Sequence, residues 1–538
     1  MARTPLASSL RTLWRELTDA RRAGVPVDEL RGARAERRGP SRRHLLMGAG
    51  AGAALALAPG RAKAARATPT VAIVGGGIGG LTSALKLLDH NIESTVYEAS
   101  DRVGGRMFSN RTYWRQGQVS EWGGELIDTG HATVLALADR FGLPVDDLLA
   151  AQPAGSDETY HVFGSYYPKA QADADFDAIW HAVRADLRSA PFPTTWDAFT
   201  PAAVALDQLS VYDWIETRVP GGHDAPLGAV LDAAYAIEYG ADTCDQSALN
   251  LLYLLAYQPK PYQHTLTMFG ESDERFHIRG GNQQVPEAIA AYLGDRVVRG
   301  HRLVRLAETA GGRYRLTFER GAQTIEQVAD YVVLALPFAA YTFDYGQAGF
   351  DPLKLDAITT LGKGHNGKLQ IQCTTRGWTG TGPWPGVANG SSYADTGYQC
   401  SWEVTRAQPG TAGIINLFSG GTVTDGMRTT SPFATAASAQ VRADVAEGLA
   451  QINPVYPNLA WNGRATQSIW HRAPLFNASY SYYRPGSYTR FAGYEIEPQG
   501  GVYFCGEHTS IDYQGYMEGG ADTGKTTAKA LRKAIRNG

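Results

Sequence analysis

The residues best suited to chemistry at the start of the chain are Gly75, Gly77, Gly80 and Glu98, within VAIVGGGIGGLTSALKLLDHNIESTVYEAS. The glycines satisfy G-x-G-x-x-G. The first permits a tight turn, the second lets a pyrophosphate approach the backbone, and the third lets a helix pack closely on a strand. Glu98 follows Gly80 by eighteen residues. An acid at that distance accepts from a ribose 2′-hydroxyl and repels a 2′-phosphate. Together these residues read as a dinucleotide site.

The elements that must position them are legible. Val71–Val74 is a short β-branched run stopped by glycine, and Leu81–Leu88 places apolar residues at helical spacing. After a turn at residues 89–91, STVYEAS reads as a second strand that ends at Glu98. The helix N-terminus offers unpaired N–H groups to phosphate.

The chain has 538 residues, enough for two or more domains, and its 43% hydrophobic and 10% aromatic content is that of a globular enzyme. SRRHLLMGAGAGAALALAPGRAKAARA pairs Arg42 and Arg43 with a moderately apolar run and small-residue cleavage sites, the pattern of a twin-arginine export signal. Residues 1–64 carry 13 of the 50 basic and 5 of the 53 acidic residues, which leaves 37 against 48, a net of −11. So acidic a mature chain has no electrostatic case for nucleic acid or an anionic membrane. Cys244, Cys373, Cys400 and Cys505 are widely spaced without C-x-x-C, and no zinc site, other metal site or disulfide framework is expected.

VAIVGGGIGGLTSALKLLDHNIESTVYEASDRVGGR and the closing GGVYFCGEHTSIDYQGYMEGGADTGKTTAKAL resemble the flavin-dependent amine oxidases, which include monoamine, polyamine and L-amino acid oxidases. The chain looks like a secreted member of actinobacterial type. The resemblance runs from about Val71 to Ala530 and implies noncovalent FAD, since Ala478 stands where some members carry a flavin-linked cysteine. It implies that Glu98 holds the adenosine ribose and that Arg106 faces the pyrophosphate. It also puts Gly123 and Gly124 of SEWGGELIDTGH beside the flavin ring, and adenine on backbone near Val297. Glu507 would contact the ribityl chain or pyrophosphate, Tyr516 would face the active site, and the Met517 backbone would meet the flavin. In LGKGHNGKLQIQCTTRGW the spacing to Trp378 selects Lys368 over Lys363 as the active-site lysine, and Trp470 and Tyr480 are further aromatic wall candidates.

The fold class expected is α/β: a discontinuous Rossmann-like FAD-binding domain with a mixed-sheet substrate-binding domain and a helical insertion. The segments are an export signal at 1–64, FAD-binding parts at 68–131, 264–336 and 476–538, a helical insertion at 132–263 and a substrate sheet at 337–475. The resemblance implies oxidative deamination of a primary amine or L-amino acid by hydride transfer to flavin N5. The products are an imine, then a carbonyl and ammonia, with O₂ reduced to H₂O₂. Partners are then a small amine or amino acid and O₂; no membrane span is expected in the mature protein, and a homodimer is left open. GGELIDTG lacks the arginine that many L-amino acid oxidases carry there, which leans toward an amine without a carboxylate. Arg472 or Arg490 could replace that clamp, or Glu125 could attract a diamine's distal ammonium. His365 and His508 are weak acid/base candidates. A flavin desaturase, a porphyrinogen-type oxidase and a non-enzymatic flavoprotein remain alternatives.

Overall fold

The computed structural model describes residues 69–381 and 386–537. The twin-arginine segment lies outside them.

A first sheet collects strands from both ends of the chain. β1 (Val71–Val74), β2 (Thr95–Tyr97), β3 (Val297–Val298), β4 (Tyr331–Leu334) and β5 (Val502–Phe504) lie in the order β5-β4-β1-β2-β3, all parallel. All four residues of β1 are buried, as a parallel sheet covered on both faces requires. Helix α1 (Ile78–Leu88) covers one face together with α2 (Met517–Asn537). A Cβ added at Gly524 would lie 2.2 Å from the Gly79 carbonyl oxygen, so glycine lets these two helices approach. Strand order reverses on either side of β1, and a crevice at the carboxyl ends of strands beside such a reversal is where ligands bind.

The second sheet has nine strands and is mixed. Asn366–Cys373 lies between Gly413–Gly420 and Trp461–Ile469, both antiparallel to it. All eight of its residues are buried. Leu369, Ile371 and Cys373 pack with the helix Ala439–Ile452, while Lys368, Gln370 and Gln372 turn to the other face. This is the period of two along a strand.

The segment expected to be a helical insertion is more mixed. It holds helices, among them Lys169–Ser189 and Pro226–Tyr239, but also the strands Ser156–Val162 and Ser165–Tyr167, which extend the nine-stranded sheet. The strand Ser156–Val162 pairs with Val387–Ala394, more than two hundred residues away, so local pattern alone gave no sign of the partnership. Among the described residues no helix is long and apolar enough to cross a membrane.

Candidate active site

One cavity of about 540 Å³ runs from the carboxyl ends of the first sheet to the face of the second. At its first end, Gly75 has φ +109°, and a Cβ there would lie 2.6 Å from the Ala335 carbonyl oxygen. A Cβ at Gly80 would lie 2.0 Å from the Gly75 carbonyl oxygen. Gly77 caps α1 and lines the cavity, and a Cβ there would meet nothing within 4 Å. The open room is therefore at the residue whose backbone a pyrophosphate must approach. Glu98 also lines the cavity; it accepts from the Gly76 N–H at 2.7 Å and from the Ser100 N–H at 2.8 Å. Open space at Gly77, a helix N-terminus and an oriented acid together fit a dinucleotide.

Deeper in, residues from the two ends of the chain meet. Arg106 Nη1 donates to Glu507 Oε1 at 2.9 Å and to the Ser479 carbonyl at 2.7 Å. Glu507 also accepts from the Ser481 hydroxyl and the Gly515 N–H, each at 2.9 Å. Burial raises the Glu507 carboxyl, but Arg106 and the hydrogen bonds outweigh it and hold the group below the usual carboxylate range. A Cβ at Gly124 would lie 2.8 Å from the Met517 side chain, and one at Gly123 would lie 2.9 Å from the Trp470 ring. Gly123, Gly124 and Met517 all line the cavity. Val297 does not: it pairs with Val96 in the sheet, and His301, Arg302 and Leu303 reach the cavity instead. The strand is too short to carry its own residues to the crevice, so the chain beyond it does so.

The far end is floored by a single row across the second sheet. Cys400 faces Phe418, Phe418 faces Lys368, and Lys368 faces Ser468 in the strand pairing, and all four line the cavity. Lys368 Nζ donates to the Gly123 carbonyl at 2.8 Å and to Glu125 Oε2 at 2.7 Å. Trp402 Nε1 donates to the other oxygen of Glu125 at 2.9 Å. Lys363 is exposed on a two-residue strand and is absent from the lining.

Three aromatics named from the sequence line the same region. Trp470 Nε1 donates to the Trp122 carbonyl at 2.8 Å, Tyr480 OH to the Ile237 carbonyl at 2.7 Å, and Tyr516 OH to Glu238 Oε1 at 3.0 Å. Burial holds both tyrosine phenols well above their ordinary range, so they stay neutral.

Other expectations are corrected. Glu125 is paired with Lys368, not free for a substrate cation. Arg472 donates to the carbonyls of Asp425, Met427 and Thr429, Arg490 pairs with Asp356, and neither lines the cavity. His365 pairs with Asp425 near the surface, while His508 is buried with no hydrogen-bond partner for either ring nitrogen among the described residues; neither lines the cavity.

Sequence reasoning missed Glu238 and Glu274, two carboxylates in the cavity wall. Among the described residues Glu238 accepts from Tyr516 alone. The Glu274 side chain has no hydrogen-bond or ion-pair partner among the described residues, and Glu274 adopts φ +45°. Burial pushes Glu238 up to about 7 and, with Asp128 and Glu238 adding repulsion, Glu274 well above the usual carboxylate range. Glu238 did leave a trace in the sequence: it is a lone acid in the apolar run AAYAIEYG.

A parallel dinucleotide-binding sheet and a larger sheet that floors the same cavity define a two-domain oxidoreductase. The chain belongs to the flavin containing amine oxidoreductase family, whose profile matches residues 78–532. It is 23% identical over 475 residues to flavin-containing amine oxidase B of Sus scrofa, covering 86% of each chain. To the flavin-containing amine oxidase of Danio rerio it is 23% identical over 488 residues, again covering 86% of each. Among solved structures, a putrescine oxidase variant with redesigned cofactor binding superposes with a TM-score of 0.71 at 20% identity, over 86% of this chain and 100% of that one. Cyclohexylamine oxidase from Brevibacterium oxydans gives 0.71 at 21% identity, over 87% and 100%. The fold is that of the FAD amine oxidases, and FAD is the noncovalently held cofactor.

Proposed function

We propose that this protein oxidises a primary amine that carries no carboxylate and bears a second cationic group. The observation that carries this reading is the pair Glu238 and Glu274, carboxylates in an aromatic-walled cavity that pair with no basic side chain among the described residues. A buried charge without a partner is costly, and a bound cation removes that cost. The arginines of the lining are Arg106, already engaged by Glu507, and Arg302, paired with Glu319. An α-carboxylate therefore meets no free guanidinium there, which argues against an L-amino acid.

FAD, when bound, supplies a two-electron acceptor for the carbon bearing the amine, with O₂ as final oxidant, H₂O₂ as product, and a carbonyl and ammonia after imine hydrolysis. The chain's own residues orient and dehydrate. Tyr480, Tyr516 and Trp402 present aromatic faces and favour the uncharged reacting amine by desolvation. Lys368, anchored on Glu125 and the Gly123 carbonyl, holds a positive charge on the cavity floor and can orient a water or an oxygen species there. Glu238 and Glu274 draw the second, charged nitrogen away from that floor.

The twin-arginine pattern at Arg42 and Arg43 supports export of the folded holoprotein, and cell fractionation of an Arg42→Lys, Arg43→Lys double variant tests it. The substrate reading is tested by peroxide release across diamines, their isosteric monoamines and L-amino acids. We expect kcat/KM to be at least about ten-fold higher for the best diamine than for its monoamine. L-amino acids as the best substrates would overturn it.

A further inference from the structure

On the outer side of the cavity wall three side chains from separate segments converge. Asp425 Oδ1 lies 2.9 Å from His365 Nδ1 and 3.4 Å from His471 Nε2, and the ligand atoms of all three fall within 4.8 Å of one another. We propose that His365, Asp425 and His471 bind a single divalent transition-metal ion of the zinc and copper class. This departs from the metal-free expectation drawn from the sequence.

The distances suit such an ion. With metal–ligand bonds of about 2.0–2.1 Å, ligand atoms in a tetrahedral site stand about 3.3 Å apart. Both edges to Asp425 lie close to that value. Two imidazoles and one carboxylate are ligands of the zinc and copper class, and three protein ligands leave a fourth position for water. The two imidazole rings are stacked, 4.0 Å apart and 15° from parallel. An imidazole lone pair lies in its ring plane, so one ring must turn to share the ion. The side chain of His365, 38% exposed, has room to do so, whereas that of His471 is only 11% exposed.

The backbone under the ligands is held in place. Arg472 donates to the carbonyls of Asp425, Met427 and Thr429, which fixes the segment that carries Asp425. The His365 N–H donates to the Gly240 carbonyl at 2.6 Å, and the Gly421 N–H donates to the His365 carbonyl at 2.9 Å. The Arg472 charge opposes a cation, and the Asp425 carboxylate offsets it.

His365 precedes Asn366 and His471 follows Trp470, and both of those neighbours line the cavity. An ion at the cluster would tie two wall segments together from outside without contacting substrate or FAD. Its first effect is then on stability.

The test uses EDTA-treated holoenzyme titrated with Zn²⁺ by calorimetry, with thermal unfolding followed in parallel. We expect one ion per chain with Kd of about 10 µM or tighter and a higher Tm on binding. Asp425→Asn and His471→Gln should each weaken binding at least about ten-fold with the flavin absorption spectrum unchanged. If His471→Gln does not fold, His365→Gln at the more exposed position decides the same point. With Cu²⁺ as probe, nitrogen hyperfine structure in the electron paramagnetic resonance spectrum should report two imidazoles and fall to one in His365→Gln. Absence of stoichiometric binding, or binding unaltered in Asp425→Asn, overturns the proposal.

Discussion

Lys368 Nζ lies 2.7 Å from Glu125 Oε2 across a gap of 243 residues, and both side chains are almost wholly buried. The pair joins the GGEL segment to the strand Asn366–Cys373 that floors the cavity. Removing one partner strands the other charge, so Lys368→Met should destabilise the protein by about 3–5 kcal/mol as well as suppress turnover. The double variant Lys368→Met, Glu125→Leu should recover most of the stability but none of the activity. Denaturant unfolding beside single-turnover kinetics separates the two. Unchanged kinetics in Lys368→Met would remove the lysine from the chemistry.

Glu238 and Glu274 give a second expectation. Each carboxyl, raised by burial, ionises when an ammonium binds beside it, and Gln cannot, so Gln in place of either should lower the preference for a diamine over its monoamine about ten-fold or more, chiefly through KM. The sign with pH follows from Glu238, pushed up to about 7 by burial. As pH falls through that value the carboxylate gains a proton and loses its attraction for the second ammonium. The diamine-to-monoamine ratio of kcat/KM should therefore fall below pH 7 in the wild type and flatten in Glu238→Gln. A ratio independent of pH in both would count against the subsite.

Gly77 and Gly80 should fail differently. A side chain at Gly80 meets the Gly75 carbonyl at 2.0 Å, so Gly80→Ala is expected to damage the fold itself. Gly77 faces open cavity, so Gly77→Val should leave apoprotein stability nearly unchanged and lower FAD content. Apoprotein melting and the flavin-to-protein absorbance ratio distinguish the cases.

His508 provides a stability test away from the chemistry. Burial depresses it to about 3, below its ordinary 6.5, so it is neutral in the folded state and protonates on unfolding in acid. With the unfolded state binding more protons between those values, its contribution is intact above about pH 6.5 and is lost as pH falls, at up to about 1.4 kcal/mol per pH unit. His508→Phe should therefore gain stability relative to wild type as pH drops from 7 to 4. A difference in unfolding free energy that does not change with pH would refute this.

The sequence by itself determined the dinucleotide end. Strand, glycine turn, helix and acid follow one another within thirty residues, and their requirements are local: φ at Gly75, close approach at Gly80, an acceptor at Glu98. Resemblance, and not periodicity, singled out Lys368, Arg106 and Glu507, because no local pattern says that residues 106 and 507 touch. The tertiary structure alone decided the character of the substrate end. Glu125 was legible as an acid but not as the partner of Lys368. Glu238 comes from the helix Pro226–Tyr239 of the insertion and Glu274 from a loop beyond it, thirty-six residues on, and only the folded chain brings both to one cavity. Charge pairing depends on distance through space, and a chain fixes that distance only once its non-local strands have paired.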